Sequence, residues 1–317
     1  MQATIIHNPR AGRLNVAHMF PAVGTALDEY GWRVKWCTVG VGHGNDAAAL
    51  TRVACDEGTD AVFVAGGDGS AAAAASVLAG SGVALGILPC GTGNVWARGL
   101  GLSSSTHRWS RALVHAGVRQ VTGVVRNVDV GRCNGHVFLL WAGIGLDGHI
   151  VHGIEPRGRA ARLFGRWHYF VRGVWLARKF RGVSVRLHGE NTGLDNEILG
   201  AVVTNVPKYA GGFATLEREA VAQNGRLALW AFRGHDFGDA LVQFGTLLAG
   251  LHLAHRNVVR VVAPRFILES DSPLPLQLDG EPAGTASHYD INVLPGALRV
   301  FVPLRLGESG WECFWSG

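Results

Sequence analysis

An apolar run, a glycine-rich turn and an alanine tract follow one another directly, and this stretch constrains the chain more than any other. The run Ala61–Ala65 is predicted to be a buried strand, and Ser70–Ala79 is predicted to be a helix. Between them lies Gly66-Gly67-Asp68-Gly69. The first N–H groups of a helix lack intrahelical partners and the helix dipole favours negative charge, so this turn is typical of a phosphate site. An ordinary tight turn capped by Ser70 would explain the same residues.

The acid in this turn needs an explanation of its own. A carboxylate beside phosphates repels them unless it holds a cation, and Mg²⁺ is the simplest candidate. We therefore predict that Asp68 takes part in binding Mg²⁺ together with a phosphate ligand. The other metal ligands are left unknown by the sequence.

Strands and helices alternate over the first part of the chain. The predicted strands are Ala3–His7, Arg33–Val39, Ala61–Ala65 and Ala84–Leu88, and the predicted helices include 45–57, 70–79 and 105–116. Pro21 is expected to begin or kink the first helix. Such alternation indicates a mostly parallel sheet with helices on both faces and a ligand at the carboxyl ends of the strands.

From about Val121 the pattern changes to short strands separated by turns, which predicts an antiparallel sandwich or barrel. These strands are predicted at 124–130, 136–141, 183–188, 198–204, 227–231, 258–262, 266–268, 276–278 and 297–302. Helical insertions are predicted at Arg157–Lys179 and Phe237–Gly250. The predicted domains are 1–123 and 124–303, and the C-terminal tail, about 304–317, is a candidate to pack back on the first.

Composition excludes a disordered chain, because 48% of the residues are apolar and 17% are charged. The net charge of +5 allows an acidic partner, whether nucleotide, anionic lipid or nucleic acid. Five scattered cysteines without a CxxC pair indicate a reducing compartment. The N-terminus shows no signal peptide, and no apolar run approaches the ~20 residues of a spanning helix, so we expect a cytoplasmic protein.

Two further polar loops containing glycine follow predicted strands. In His7-Asn8-Pro9-Arg10-Ala11-Gly12, Asn8 can bind a phosphate or ribose, although an Asn-Pro turn is the plainer interpretation. In Leu88-Pro-Cys-Gly-Thr-Gly-Asn94, Thr92 can cap the next helix or bind a phosphate. Three such loops at one sheet edge indicate a nucleotide site more strongly than turn chemistry does.

Three other motifs bear on which kind of nucleotide site and which chemistry the chain has. Gly143–Gly148 matches GxGxxG, but no parallel βαβ unit surrounds it, so a dinucleotide site is not predicted there. No GxxxxGK[ST] occurs, which excludes a standard P-loop kinase. Asp279-Gly280-Glu281 is either solvated charge on a turn or the source of a general base for an acceptor hydroxyl.

Together these stretches resemble the diacylglycerol kinase catalytic-domain family, which includes soluble bacterial lipid kinases and the sphingosine and ceramide kinases. Five motifs occur in the family's order, at Asn8–Gly12, Gly66–Ser70, Gly86–Asn94, Ala142–Asp147 and Asp279–Glu281. The resemblance covers most of the chain. It implies an NAD kinase/diacylglycerol kinase-like α/β domain with a mostly parallel sheet, followed by a β-rich antiparallel sandwich.

The resemblance also implies roles for individual residues. Nucleotide contacts are implied for Asn8, Pro9, Arg10, Ala11, Gly12, Thr38, Gly66, Gly67, Asp68, Gly69, Ser70, Thr92 and Asn94. Asp68, Asp279 and Glu281 would be catalytic, and the glutamate is the usual proton acceptor. ATP would lie at the sheet edge in the inter-domain cleft, and the lipid would enter between the domains.

Two positions depart from the family pattern. Relatives usually carry Asn-Glu shortly after the GGDG turn, where this chain has Ala71–Ala75, and many have Asp where this chain has Val95. These departures bear on the acceptor more than on the nucleotide site. A cation-binding Asp-Gly turn of several relatives corresponds to Ala222–Arg226, where Asn224 replaces the carboxylate, so we expect no ordered Mg²⁺ there.

We therefore predict an ATP- and Mg²⁺-dependent kinase that phosphorylates a lipid hydroxyl of the diacylglycerol or sphingoid type. An NAD kinase-like or other small-molecule kinase and a non-catalytic nucleotide-binding regulator are the alternatives. The segment Arg157–Arg181 mixes arginines with aromatic residues and has no acid, so it is a candidate for peripheral contact with an anionic membrane. A helix packed on the β-rich domain with a solvated basic face is the alternative interpretation. No nucleic-acid partner is expected, and the sequence allows a homodimer.

Overall fold

The computed structural model describes residues 1–12, 16–40, 46–102, 109–154, 172–189, 192–212, 214–217 and 224–304. The chain divides into two compact units. Unit 1 comprises Met1–Val128 and the stretch that begins at Gly296, and unit 2 comprises Asp129–Pro295.

Unit 1 alternates strands and helices. Its elements are β1 (Gln2–His7), α1 (Phe20–Asp28), β2 (Arg33–Thr38), α2 (Ala47–Asp56), β3 (Ala61–Gly66), α3 (Asp68–Leu78), β4 (Ala84–Pro89), α4 (Val95–Gly99) and α5 (Trp109–Val121). Pro21 lies in the first turn of α1, so the prediction that a helix begins there is confirmed.

The four strands of unit 1 form a parallel sheet in the order β2-β1-β3-β4. Beyond β4, Arg299 and Val300 add a short parallel pairing with Ala84 and Leu85. The chain leaves β1 for a neighbour on one side and returns to β3 on the other. Ligands of open α/β sheets bind where the strand order reverses in this way, outside the carboxyl ends of the strands.

Burial explains why these segments become strands and helices. Every residue of β3 and β4 is buried, as expected for parallel strands covered on both faces. The alanines of α3 allow close packing, and Ala71, Ala74 and Ala75 are almost fully buried. The buried Gln120 of α5 bonds both the N–H and the carbonyl of Ile87, so its amide satisfies backbone groups of β4.

Unit 2 is rich in strands. Its elements, with β5 and β15 reaching into unit 1, are β5 (Val124–Cys133), β6 (His136–Phe138), β7 (Trp141–Gly145), α6 (Leu146–Ile154), α7 (172–177), β8 (Val183–Gly189), β9 (Thr192–Thr204), β10 (Lys208–Tyr209), β11 (Ala214–Thr215), β12 (Leu227–Arg233), α8 (Phe237–Leu248), β13 (Val258–Ala263), β14 (Arg265–Leu278) and β15 (Glu281–Val302). In unit 2 the described pairings are antiparallel.

Two long strands hold unit 2 together. Along one end β9 and β14 both pair with β7, and along the other end both pair with β8. The inward side chains form one apolar cluster that includes Phe138, Phe266 and Tyr289. The predicted α/β domain followed by a β-rich antiparallel domain is therefore confirmed.

Three sequence predictions about elements of this unit were wrong. Residues 136–141 form two strands, whereas 266–268 and 276–278 belong to one strand that passes through register shifts around Pro273 and Pro275. Helix α6 was missed because Gly148 weakens its helical pattern. That glycine packs against β14, where an added Cβ would lie 2.1 Å from the carbonyl oxygen of Pro275.

Among the described residues, no helix has the length and hydrophobicity that crossing a membrane requires.

Candidate active site

Three polar loops of unit 1 meet at the carboxyl edge of its parallel sheet. The first, Asn8–Gly12, follows β1, the second, Gly66–Ser70, follows β3, and the third, Cys90–Asn94, follows β4. Thr38 ends β2 in register with His7. All four segments therefore lie at the edge where a ligand of this fold class binds.

The first two loops are joined by a side-chain hydrogen bond. The amide nitrogen of Asn8 donates to the hydroxyl of Ser70 at 2.8 Å, and the amide oxygen of Asn8 accepts from the N–H of Arg10 at 3.0 Å. Ser70 is buried and lies inside the first turn of α3, so the interpretation of Ser70 as the helix cap is wrong. The helix begins two residues earlier, after Gly67, whose extended backbone starts it.

Glycines let the loops pack against one another. An added Cβ on Gly12 would lie 2.1 Å from the carbonyl oxygen of Cys90, and one on Gly91 would lie 2.6 Å from Cα of Gly67. Gly12 also has φ +74°, a conformation that favours glycine. Contact between the loops therefore requires glycine at Gly12 and Gly91.

Asp68 joins the second loop to the third. It is the first residue of α3, and its Oδ1 accepts the N–H of Trp96 at 3.1 Å. The N–H of Val95 also bonds this carboxylate. Asp68 therefore caps α4, whose own N-cap residue, Asn94, makes no side-chain cap. Sequence reasoning missed this role, because Asn94 before Val95 is itself an ordinary capping residue and gives no sign that the cap comes from Asp68.

The electrostatic environment of Asp68 is mixed. Burial raises the pKa of its carboxyl above the ordinary 3.8, while backbone N–H groups and the charge of Arg98 lower it. Its Oδ2 leaves little room at Gly93, where an added Cβ would lie 2.9 Å away. The carboxylate is thus fixed between α3 and the third loop.

The third loop is closed by its own asparagine. Asn94 has φ +49° and is buried; its amide oxygen accepts from the N–H of Gly91 at 3.0 Å and its amide nitrogen donates to the Gly91 carbonyl at 2.8 Å. Thr92 is exposed between them. Thr92 is not the helix cap that we considered, because α4 begins after Asn94. The nucleotide contacts predicted for Thr92 and Asn94 stay predictions.

The donor set at this edge suits a magnesium–phosphate ligand better than a metal alone. Among the described residues, no cluster of three or more His, Cys, Asp or Glu side chains is placed to hold a metal ion. Mg²⁺ in phosphate-transfer sites is commonly held by one or two carboxylates, waters and the phosphates themselves. A single carboxylate, Asp68, at the start of α3 fits that pattern.

The late acidic motif forms the turn between β14 and β15 in unit 2. Asp279 (φ +52°) and Gly280 (φ +89°) occupy the centre of a two-residue hairpin turn. The Asp279 carboxylate accepts the N–H groups of Leu139, Leu140 and Trp141 at 2.7, 2.7 and 3.1 Å. Glu281 is exposed. The two acids therefore differ, since Asp279 is anchored to backbone and Glu281 faces solvent.

Two other predictions touch unit 2. The amide oxygen of Asn224 accepts from the N–H of Arg226 at 3.0 Å, and the N–H of Gly225 donates to the buried Asp129 at 2.8 Å. The expectation of no ordered Mg²⁺ at Asn224 stays a prediction. Of the segment Arg157–Arg181, residues 157–171 lie outside the described residues, so its proposed membrane contact stays a prediction as well.

Comparison with known proteins finds similarity along nearly the whole chain. The family model of the diacylglycerol kinase catalytic domain matches residues 2–133, and that of the YegS C-terminal NAD kinase beta sandwich-like domain matches residues 145–302. A diacylglycerol kinase of Bacillus subtilis is 24% identical over 97% of this chain and 98% of its own length. A diacylglycerol kinase of Mycobacterium tuberculosis is 29% identical over 83% of each chain.

A crystal structure of a diacylglycerol kinase from Bacillus anthracis superposes with a TM-score of 0.68, at 18% identity, over 95% of this chain and 96% of that one. At this identity the likeness establishes the fold. It agrees with the order of a kinase-like α/β unit and a β-sandwich unit.

Proposed function

Because this chain belongs to the diacylglycerol kinase catalytic-domain family, whose named relatives are phosphotransferases acting on an alcohol group, we propose that it transfers the γ-phosphoryl group of ATP to a lipid hydroxyl. The acceptor proposed is a lipid of the diacylglycerol or sphingoid type. The location of ATP at an inter-domain cleft stays a prediction.

One observation carries the nucleotide part of this proposal. The Asn8–Ser70 hydrogen bond places the loop after β1 on the first turn of α3, where the strand order of unit 1 reverses. The helix start supplies backbone N–H groups and a positive dipole end, which favour phosphates. Three loops with two required glycines then give a polar, tightly packed edge for the phosphates of ATP.

Asp68 has two roles in this proposal. Mg²⁺ bound with ATP would neutralise charge that develops on the transferring phosphoryl group. Asp68 would hold that ion while its capping bonds to α4 keep the carboxylate in place. The residues of the three loops would orient the phosphates, since positioning supplies much of the rate in phosphoryl transfer.

Glu281 is the general base that we propose. It is exposed, whereas both oxygens of Asp279 already accept backbone N–H groups. A base must lie within reach of the acceptor hydroxyl, and the exposed Glu281 meets that condition better than an acid that is anchored to backbone. Asp279 would instead hold the turn that carries Glu281.

The proposal is tested with γ-labelled ATP, Mg²⁺ and a panel of acceptors in mixed micelles. The panel contains diacylglycerol, a sphingoid base, phosphatidylglycerol and a glycolipid, with NAD and a soluble sugar phosphate as non-lipid arms. Label in one lipid and none in the non-lipid arms is the expected result. Label in NAD alone would replace the proposed function with the small-molecule kinase alternative.

A further inference from the structure

A chain of hydrogen bonds in unit 2 leads from Asp147 to the acidic turn. Asp147 lies in the first turn of α6, and its Oδ2 accepts from the amide nitrogen of Gln277 at 2.6 Å. The hydroxyl of Tyr209 donates to the same carboxylate. Gln277 is only 1% exposed, and its amide oxygen accepts the N–H of Gly280 at 2.8 Å. Asp147 is thus linked to the turn through one side chain.

The partners fix which way the Gln277 amide points. The Oδ2 of Asp147 accepts from the amide nitrogen of Gln277, so that nitrogen faces Asp147. The amide oxygen must then face the N–H of Gly280. Reversing the amide would set oxygen against carboxylate and nitrogen against N–H, which places like groups together at both ends.

The strand before α6 leaves space for this pair. An added Cβ on Gly143 of β7 would lie 1.8 Å from Oδ2 of Asp147 and 2.6 Å from the amide nitrogen of Gln277. Glycine is therefore needed at position 143 for the hydrogen bond to form. Gly143 is the first glycine of the GxGxxG match at Gly143–Gly148, where no dinucleotide site is predicted. Its role in the structure is to make room for the Asp147–Gln277 contact.

The acidic turn is held from two sides. Asp279 bonds the backbone of Leu139, Leu140 and Trp141, and Gly280 bonds Gln277. Glu281 follows at once, so its backbone position depends on both anchors. Two residues with positive φ precede it, and a turn of that kind needs such support to stay in one conformation.

Stability alone explains Asp147 poorly. Burial raises the pKa of its carboxyl, while the bonds from Tyr209 and Gln277 lower it. When folding raises the pKa of a carboxyl, ionising that carboxyl lowers the free energy of unfolding of the protein. An apolar residue of similar size would avoid that cost, so the charge at this place points to a use other than stability.

We propose that Asp147 is a positioning residue that acts through Gln277 and Gly280 to set the place of the Glu281 carboxylate in phosphoryl transfer. This rests on the proposed function, in which Glu281 is the base. Asp147 touches no reacting atom in this scheme.

The first test compares Asp147→Ala with Asp147→Asn on the full chain, using ATP, Mg²⁺ and the lipid that the parent phosphorylates. Asp147→Ala is expected to lower kcat roughly 10- to 100-fold with KM for ATP unchanged, the size of effect that a misplaced catalytic group produces. Asp147→Asn is expected to retain most of kcat, because its amide oxygen can still accept from Gln277. Equal losses in the two variants, or a loss confined to KM for ATP, would overturn the proposal.

A structural control separates positioning from loss of stability. Asp236 caps α8, and its Oδ1 accepts from the N–H groups of Gly238 and Asp239, at 2.8 and 3.2 Å, in that helix. Asp236→Ala should lower Tm and leave kcat at the parental value. If Asp147→Ala does not fold, Gln277→Met is measured instead. This substitution removes the side chain that bonds both Asp147 and Gly280.

The second test places Asp147→Ala in the Glu281→Gln background. If Asp147 acts through Glu281, the double variant should be no slower than Glu281→Gln alone. Multiplied losses would show that Asp147 acts independently and would overturn the inference while leaving the proposed function in place. Parental turnover in Glu281→Gln alone would instead remove the proposed base, and the inference would fall with it.

Discussion

The amide nitrogen of Asn8 lies 2.8 Å from the hydroxyl of Ser70, and this bond ties the loop after β1 to the first turn of α3. It joins two segments that are 62 residues apart in sequence. The bond therefore holds in register the two loops that are proposed to bind phosphate.

We predict that Asn8→Ala weakens ATP binding by about tenfold, the effect of losing roughly 1.4 kcal/mol. Ser70→Ala should have a smaller effect, and the double variant should lose less than the sum of the two. Isothermal titration with a non-hydrolysable ATP analogue measures all three. Asn224→Ala is the matched control, since Asn224 makes the same kind of local bond to the backbone N–H two residues on and belongs to unit 2. Additive losses would show that the Asn8–Ser70 bond is not used.

Asp68→Asn is expected to lower kcat by about 100-fold or more while secondary structure by circular dichroism stays parental. The amide keeps the size of the side chain and removes the charge proposed to hold Mg²⁺. Turnover within tenfold of the parent at saturating Mg²⁺ would remove Asp68 from the mechanism.

The same variant gives a pH test of stability. Because burial raises the pKa of Asp68 above 3.8, the native protein binds this proton more tightly than the unfolded chain does. The ionised carboxylate therefore costs stability, and the cost is absent below pH 3.8 and complete above the raised pKa. The difference between the Tm of Asp68→Asn and the Tm of the parent should therefore rise as the pH increases from about 4 to 7. A relative Tm that falls over this interval would contradict the account.

The two acids of the late turn are predicted to respond differently. Glu281→Gln should lower kcat about 100-fold or more with Tm unchanged, since the side chain is exposed and proposed as the base. Asp279→Asn should lower Tm as well, because an amide cannot accept all three N–H bonds from residues 139–141. Thermal melting and single-turnover rates on both variants check this. A parental Tm for Asp279→Asn would show that those three bonds do not hold the turn.

The sequence predicts features that depend on neighbouring residues and does not predict contacts between residues that are far apart in the chain. Strands β1, β3 and β4 and the polar loops after them were predictable, because burial on both faces of a parallel sheet leaves largely apolar runs that end in turns. The pairing of Asp68 with the N–H of Trp96 was not, since it joins residues 28 apart through tertiary packing. The same holds for Gln277 and Asp147, which lie 130 residues apart.

Glycine shows this limit most clearly. The sequence places Gly12 in a polar loop after β1, but it could not reveal that the close neighbour of Gly12 is the carbonyl of Cys90. Helix α6 was missed because glycine disfavours a helix, and the sequence does not show that Gly148 packs against β14.

Gly12→Ala tests this packing directly. Gly12 (φ +74°) and Gly58 (φ +77°) have nearly the same backbone conformation, but an added Cβ on Gly58 meets nothing within 4 Å. Gly58→Ala should therefore cost only the backbone strain, about 1 kcal/mol of unfolding free energy. Gly12→Ala should cost roughly 1–3 kcal/mol more, because of the clash with the Cys90 carbonyl. Urea denaturation of both variants measures the difference, and equal losses would show that the loops do not pack as described.

The most direct test of the central claim is the initial rate of lipid phosphate formation from γ-labelled ATP and Mg²⁺ in mixed micelles, with the parent, Asp68→Asn and Glu281→Gln compared at equal protein concentration. The account predicts a labelled lipid product from the parent, and rates about 100-fold or more lower in each variant. No labelled lipid from the parent with any acceptor of the panel, or parental rates in both variants, would contradict it.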